Sequence, residues 1–156
     1  MKTIGVVLSS VLLVGSMCSV CHSHCEIPCG IYDDPMRIEL MKEHTRTIEK
    51  SMNNIDALQA QDNPDMNQLI RWTVNKEDHA NKLQEIAYQY FMTQRVKPVL
   101  AEQGEQYEKY VRQVTLLHKI LVQAMRAKQT TDVKHVENLR TLIDDFRVAY
   151  MGHDHD

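Results

Sequence analysis

Residues 34–60 read DPMRIELMKEHTRTIEKSMNNIDALQA, and this stretch decides the fold. Asp34 followed by Pro35 is a typical helix start, an N-cap residue with proline at the first helical position. The positions expected to face a core recur at steps of three and four, which is the period of an amphipathic α-helix. They are Ile38, Met41, Thr45, Ile48, Met52 and Ile55. The pattern predicts a first helix that ends near Ala60.

Three more helices follow from the same period. Residues 63–65 interrupt the first pattern and start a second helix ending near Met92, and a third spans about 105–128. The turn at 130–132 supplies an N-cap for a fourth helix, which Gly152 is placed to stop. The expected core positions are Leu69, Thr73, Ala80, Leu83, Ala87 and Tyr90, then Tyr107, Tyr110, Val114, Leu117, Leu121 and Ala124, and finally Val136, Leu139, Ile143, Phe146 and Tyr150. No strand pattern occurs, so we predict an all-α, up-down-up-down four-helix bundle with its helices at about 35–152.

The first 23 residues are predicted to be a leader rather than part of this bundle. Lys2 precedes an apolar run at 4–15, which serine and glycine interrupt and which falls short of the roughly 20 apolar residues of a membrane-spanning helix. Cleavage after Ser16 or after Ser23 fits the small-residue rule for signal peptides. We therefore expect export to the periplasm, the extracellular space or an organelle lumen, with a mature domain at 24–156.

Charge and hydropathy exclude two classes of partner. The formal charge is −3 at pH 7 and both signs are interspersed, so the clustered Lys and Arg that bind nucleic acid are missing. No second apolar run is long enough to span a bilayer, so the mature form should not be embedded in a membrane.

The segment 24–32, HCEIPCGIY, carries the candidate chemistry. All four cysteines lie at positions 18–29, which favours local chemistry over a disulfide-stapled fold. If the leader is cut after Ser23, the new amine of His24, the backbone nitrogen and thiolate of Cys25, and the thiolate of Cys29 form a square-planar donor set. That geometry suits Ni(II) or Cu(II), with the His24 imidazole as an axial ligand, and the strong donors favour redox chemistry. Tyr32 follows, where its phenol could crowd the open face of the metal.

These residues resemble a known family. The motif His24-Cys25-x-x-Pro28-Cys29-Gly30-x-Tyr32 is similar to the nickel hook of nickel-containing superoxide dismutase. Residues in similar order further along are Asp33, Arg37, Ile38, Glu39, Ile70, Arg71, Thr73, Val74, Lys76, Glu77, Tyr90 and Phe91.

The resemblance implies an antioxidant enzyme that disproportionates superoxide to dioxygen and hydrogen peroxide. It implies one nickel ion per subunit, ligated by His24, Cys25 and Cys29, and a homohexamer as the assembly. Tyr32 matches the tyrosine that gates access to nickel, and Glu39 matches the acid that hydrogen-bonds the axial imidazole. His79 stands where the family has an arginine that supports this acid, so the charge there would vary with pH.

Three alternatives remain at this point. The same donors could serve a non-catalytic exported protein that binds nickel or copper, and Cys25 and Cys29 could form a local disulfide. A cut after Ser16 would retain Cys18-x-x-Cys21-His22, a formal haem-attachment motif, and would favour a c-type cytochrome. The terminal His153 and His155 could also bind metal, although a frayed end is the usual state of such a tail.

Overall fold

The computed structural model describes residues 32–152, which form four long helices. They are α1 (Asp34–Gln59), α2 (Met66–Glu85), α3 (Glu105–Gln129) and α4 (Lys134–Met151), and α2 continues without a break into a π-helical segment, Ile86–Arg95. A short 3₁₀ turn, Ala101–Gln103, precedes α3. The leader at 1–23, the predicted ligands His24, Cys25 and Cys29, the Cys18–Cys21–His22 motif and the tail at 153–156 lie outside the described residues.

The four helices pack as the sequence predicts. Helix α1 packs against α2 and α4, and α3 packs against α2 and α4, so each helix contacts its neighbours in chain order around one core. No strand occurs between residues 32 and 152, and the all-α bundle is confirmed. None of the helices in this range is both long and apolar enough to span a bilayer. The up-down order brings the start of α1, the π-helical segment and the end of α4 to one end of the bundle.

The core is built largely from the positions that the helical period selects. All six predicted positions of α1 are buried, as are four of the five on α4, whereas Tyr150 is half-buried. The prediction for Thr73 is wrong: its side chain is exposed, because the buried face of α2 begins only at Lys76. Burial of large apolar side chains, each worth about 1.5–3 kcal/mol, is what holds the helices together.

The start of α1 differs from the prediction by one residue. Asp33, not Asp34, is the N-cap: its Oδ1 accepts the backbone N–H of Met36 at 3.0 Å. Asp34 is thereby the first residue of the helix, and its carboxylate is free to turn toward the other helices. Gly152 ends α4 with φ of 85°, a left-handed conformation that glycine adopts at low cost, as predicted.

The π-helical segment was not foreseen from the sequence. Its backbone bonds span five residues, as in the 2.8 Å bond from Val96 N–H to the carbonyl of Phe91. Two side chains bond back over the same interval, Thr93 to the carbonyl of Tyr88 and Gln94 to that of Gln89. Residues five apart therefore lie on one side of this segment.

Candidate metal centre and its surroundings

Tyr32 is the last residue of the hook motif and the one residue of that motif that the structure describes. It precedes α1 directly, and its side chain is 47% exposed. The guanidinium carbon of Arg95 lies 4.3 Å from the centre of its ring, and the ring of Tyr90 lies 6.1 Å away. The phenol therefore stands at the surface of the bundle end, with one face against a cation.

Asp34, two residues further on, accepts hydrogen bonds from three side chains in two other parts of the fold. Its Oδ1 accepts the hydroxyl of Tyr90 at 2.6 Å, and its Oδ2 accepts the hydroxyl of Tyr150 at 2.8 Å. Arg95 adds a two-pronged contact, with Nη2 at 2.7 Å from Oδ2 and Nε at 2.9 Å from Oδ1. These four residues, which we call the Asp34 cluster, join α1, the π-helical segment and the last turn of α4.

The electrostatics of the Asp34 cluster fix its protonation. Burial alone raises the pKa of the Asp34 carboxyl, but hydrogen bonds from Arg95, Tyr90 and Tyr150 outweigh burial and hold that pKa below its ordinary value. Burial and the hydrogen bond to Asp34 raise the pKa of Tyr90 and of Tyr150 to about 12. At neutral pH the cluster thus consists of a carboxylate, a guanidinium and two intact phenols, each with a partner.

Glu39 lies one turn further along α1, on the flank that faces α4. Its Oε1 is 3.3 Å from Lys42 Nζ, and the same ammonium lies 2.9 Å from Asp144 on α4. The Glu39 side chain is 62% exposed, so the contact with Lys42 leaves much of the carboxylate accessible. An exposed ion pair of this kind adds at most about 1 kcal/mol to stability, and the carboxylate can take another partner.

His79 lies on α2 and contacts a different flank of α1. Its Nδ1 is 3.0 Å from Nδ1 of His44, and the two rings meet edge to face. His44 follows Glu39 by five residues, which in an α-helix places the two side chains about 140° apart around the axis. The structure therefore places His79 against His44 at the α1–α2 contact, whereas Glu39 faces α4.

The contact between the two imidazoles restricts their protonation. A hydrogen bond between two ring nitrogens needs one donor and one acceptor, so at least one ring must be neutral. Burial lowers the pKa of His44, and the charges of His79 and Lys82 lower it further, against a small opposing effect of Glu43. Burial and Lys82 likewise lower the pKa of His79, while Asp78 and Glu43 oppose them.

We expect this histidine pair to make the fold less stable in acid. In the unfolded chain a histidine has an ordinary pKa of about 6.5, so below that pH the unfolded state binds more protons than the folded state. The contribution of the pair is fully present above that pH and is lost as the pH falls through the lowered folded values. Urea midpoints at pH 8 and pH 5 measure the loss, and the double variant His44→Gln/His79→Gln should lose less.

The matched control is His118→Gln, because His118 is exposed on α3. This variant should keep the full pH dependence of the parent protein. An equal loss of stability in the double variant and in the parent would show that the pair does not contribute to acid sensitivity.

A groove of about 280 Å³ lies between α1 and α2, next to the His44–His79 pair. It is lined by Arg37, Leu40, His44, Lys82, Glu85, Ile86, Gln89 and Tyr90. The Arg37 guanidinium lies 5.0 Å from the centre of the Tyr90 ring, and its Nε is the one buried side-chain polar atom in the described part of the chain without a hydrogen-bond partner. A larger groove of about 510 Å³ lies between α3 and α4, away from Tyr32. The volume of a groove therefore does not identify the metal site.

Metal ligands are not gathered anywhere in the bundle itself. Between residues 32 and 152, no three His, Cys, Asp or Glu side chains are grouped so that they could hold a metal ion. The four cysteines, which are the only source of thiolate, all occur at 18–29 in the sequence.

Comparison with known proteins identifies the class. The model of one family, nickel-containing superoxide dismutase, matches residues 19–154 and thus covers both the hook motif and the bundle. The chain belongs to the nickel-containing superoxide dismutase family. It is an oxidoreductase with a nickel cofactor and superoxide as its substrate, as the motif at 24–32 implied. Comparison with curated proteins and with solved structures found no match.

Sequence reasoning missed most of the residues that surround Tyr32. It assigned Asp34 to a helix cap and Tyr90 and Tyr150 to the core, and it gave Arg95 no role. One signal was available: Arg95 comes shortly before Pro98, at a predicted helix end, and follows the aromatic residues Tyr90 and Phe91. The partner lies 61 residues away in sequence, so only the fold identifies it.

Proposed function

We propose that nickel is held at the N-terminus of the mature chain by His24, Cys25 and Cys29. The observation that carries this proposal is the complete hook motif at 24–32, inside the part of the chain that the family model matches. His24 supplies its amine and imidazole, Cys25 its backbone nitrogen and thiolate, and Cys29 its thiolate. One nickel ion per subunit follows from one such set of donors.

The donors present fit this ion. Thiolates are soft ligands and a deprotonated backbone nitrogen is a strong donor, and among divalent ions such a set suits nickel and copper better than magnesium or calcium. Bound nickel supplies the one-electron redox couple by which superoxide is converted to dioxygen and hydrogen peroxide. The protein must then hold the ligands, admit a small anion and deliver protons to the product peroxide.

Tyr32 and Glu39, which are not proposed ligands, have proposed roles in those tasks. Tyr32 controls access to the metal and orders the solvent from which the product takes protons; its exposed position directly before α1 supports this role. Glu39 accepts a hydrogen bond from the His24 imidazole and fixes the orientation of that ring, and its accessible carboxylate supports the assignment. His79 stands where the family has an arginine, but its imidazole contacts His44 and lies away from Glu39, so we assign it no direct support of that acid.

Maturation completes the proposal. Removal of 1–23 after export, with cleavage between Ser23 and His24, would free the amine that serves as a ligand. The mature subunits would assemble as a homohexamer in the periplasm, the extracellular space or an organelle lumen. Intact mass of the protein isolated from its native compartment measures the cleavage site, and sedimentation measures the assembly.

The decisive experiment is an assay of the nickel-loaded mature chain beginning at His24. Superoxide decay is followed directly by pulse radiolysis, with nickel content determined on the same sample. We expect turnover proportional to bound nickel. Stoichiometric nickel without turnover would favour the alternative function, a non-catalytic nickel- or copper-binding protein.

The haem alternative has its own readout. Cleavage after Ser16 and covalent haem on Cys18 and Cys21 would give a Soret band and an intact mass higher by one haem. We expect neither in the protein from its native compartment. Their presence would replace the nickel proposal with a c-type cytochrome.

A further inference from the structure

The geometry points to Arg95 as a positioning residue for Tyr32, and we propose that the Asp34 cluster holds it there. This inference rests on the proposed role of Tyr32 at the nickel site. It places the support for Tyr32 at the end of the π-helical segment, which neither the hook motif nor the family match indicates.

The first observation is how firmly Asp34 fixes Arg95. The guanidinium makes a two-pronged contact with the carboxylate, and the hydroxyls of Tyr90 and Tyr150 take up the remaining acceptor capacity of the two oxygens. The Asp34 side chain is 15% exposed and that of Arg95 is 28% exposed, so water screens this pair only in part. Planar contacts of this type specify orientation as well as charge, so the plane of the guanidinium is set.

The second observation is what the guanidinium touches on its other side. Its carbon lies 4.3 Å from the centre of the Tyr32 ring, well inside the range of about 6 Å at which a cation attracts an aromatic face. Tyr32 is 47% exposed and lies outside α1, so few of the described residues hold its ring. Arg95 and the Tyr90 ring at 6.1 Å are the described aromatic and cationic neighbours that restrict it.

The third observation explains why Arg95 can reach this place. Tyr90 and Arg95 are five residues apart, which in an α-helix would separate them by about 140° around the axis. In the π-helical segment the five-residue repeat places both on the side facing Asp34. An unusual backbone at this point therefore serves to bring the phenol of Tyr90 and the guanidinium of Arg95 to one carboxylate.

The test compares Arg95→Gln with Tyr32→Phe in the nickel-loaded mature protein. Misplacing the phenol should lower kcat/KM for superoxide by about tenfold in Arg95→Gln, while nickel content and helix content stay at parental values. The near-ultraviolet circular dichroism that Tyr32→Phe removes should also be lost in Arg95→Gln. The double variant should be no slower than the slower single variant, because both changes act on one side chain.

Two further variants separate positioning from general stability. Arg95→Lys keeps a cation for Asp34 but loses the planar group, so it should retain more stability than Arg95→Gln. It should still lose the near-ultraviolet circular dichroism of Tyr32, which we call the Tyr32 signal. Arg140→Gln is the matched control: it breaks a comparable bidentate arginine–glutamate pair with Glu49, away from Tyr32, and should leave activity and the Tyr32 signal unchanged.

The outcomes distinguish this inference from the function on which it rests. Parental activity and an intact Tyr32 signal in Arg95→Gln, together with a slow Tyr32→Phe, would overturn the role of Arg95 and leave the proposed function standing. Additive losses in the double variant would also overturn it. An inactive nickel-loaded parent protein would instead refute the proposed function.

Discussion

Replacing Cys25 or Cys29 with serine is expected to abolish superoxide turnover, because either change removes a thiolate that a serine hydroxyl cannot replace at neutral pH. The helices should be unaffected, since within residues 32–152 the helices bury a core against one another. Three measurements are needed on each variant: superoxide decay, nickel content and far-ultraviolet circular dichroism. We expect turnover at the level of free buffer and parental helix content.

The control for this pair of variants is present in the chain. Cys18→Ser changes a thiol that is removed with the predicted leader, so the mature protein should be identical to the parent in mass and activity. A Cys25→Ser or Cys29→Ser product that fails to fold would show that the cysteines are structural. Retained turnover in either variant would exclude that residue as a ligand.

The second large effect should come from the position of the first residue alone. A mature chain that begins at Ser23 instead of His24 retains every proposed ligand side chain. Its free amine, however, is on Ser23, one residue further from Cys25, and the nitrogen of His24 is part of a peptide bond. We expect loss of activity of the same order as in the cysteine variants. A fusion protein cut to begin at Ser23 or at His24 provides both forms, and superoxide decay with nickel content compares them.

An equal extension at the other end is the appropriate control. One serine added after Asp156 changes length and mass by the same amount and should leave turnover intact. Full activity of the form that begins at Ser23 would rule out the amine as a ligand, while leaving the two thiolates untested by this experiment. The cysteine variants supply that part of the answer.

The sequence was sufficient for the fold because each helix carries its own periodic signal. Ile38 and Phe146 are buried on the faces that a repeat of 3.6 residues selects, and the pattern needs no knowledge of the partner helix. Thr73 fails for the same reason: the period continues through it, but the second helix does not reach the core until Lys76. Periodicity locates a face and says nothing about where along the helix that face is covered.

Residues around the site could be predicted only where they lie close to the hook motif in the sequence. Tyr32 ends the motif and Glu39 follows it seven residues later, so both could be proposed from the sequence alone. Asp34 and Arg95 meet through tertiary contact, and the carboxylate of Asp34 was free to do so because Asp33 supplies the cap. Local rules could not rank these two adjacent aspartates, since either can cap the helix.

The π-helical segment also makes this end of the bundle sensitive to the insertion or deletion of single residues. Deleting one residue between Ile86 and Arg95 would favour ordinary α-helical bonds, whose geometry is better than that of a π-helix. The residue opposite Asp34 would then be a different one, and Arg95 would be carried around the axis by about 100°. In this stretch a single insertion or deletion could alter the enzyme more than most substitutions, although it would leave a helix that looks more regular.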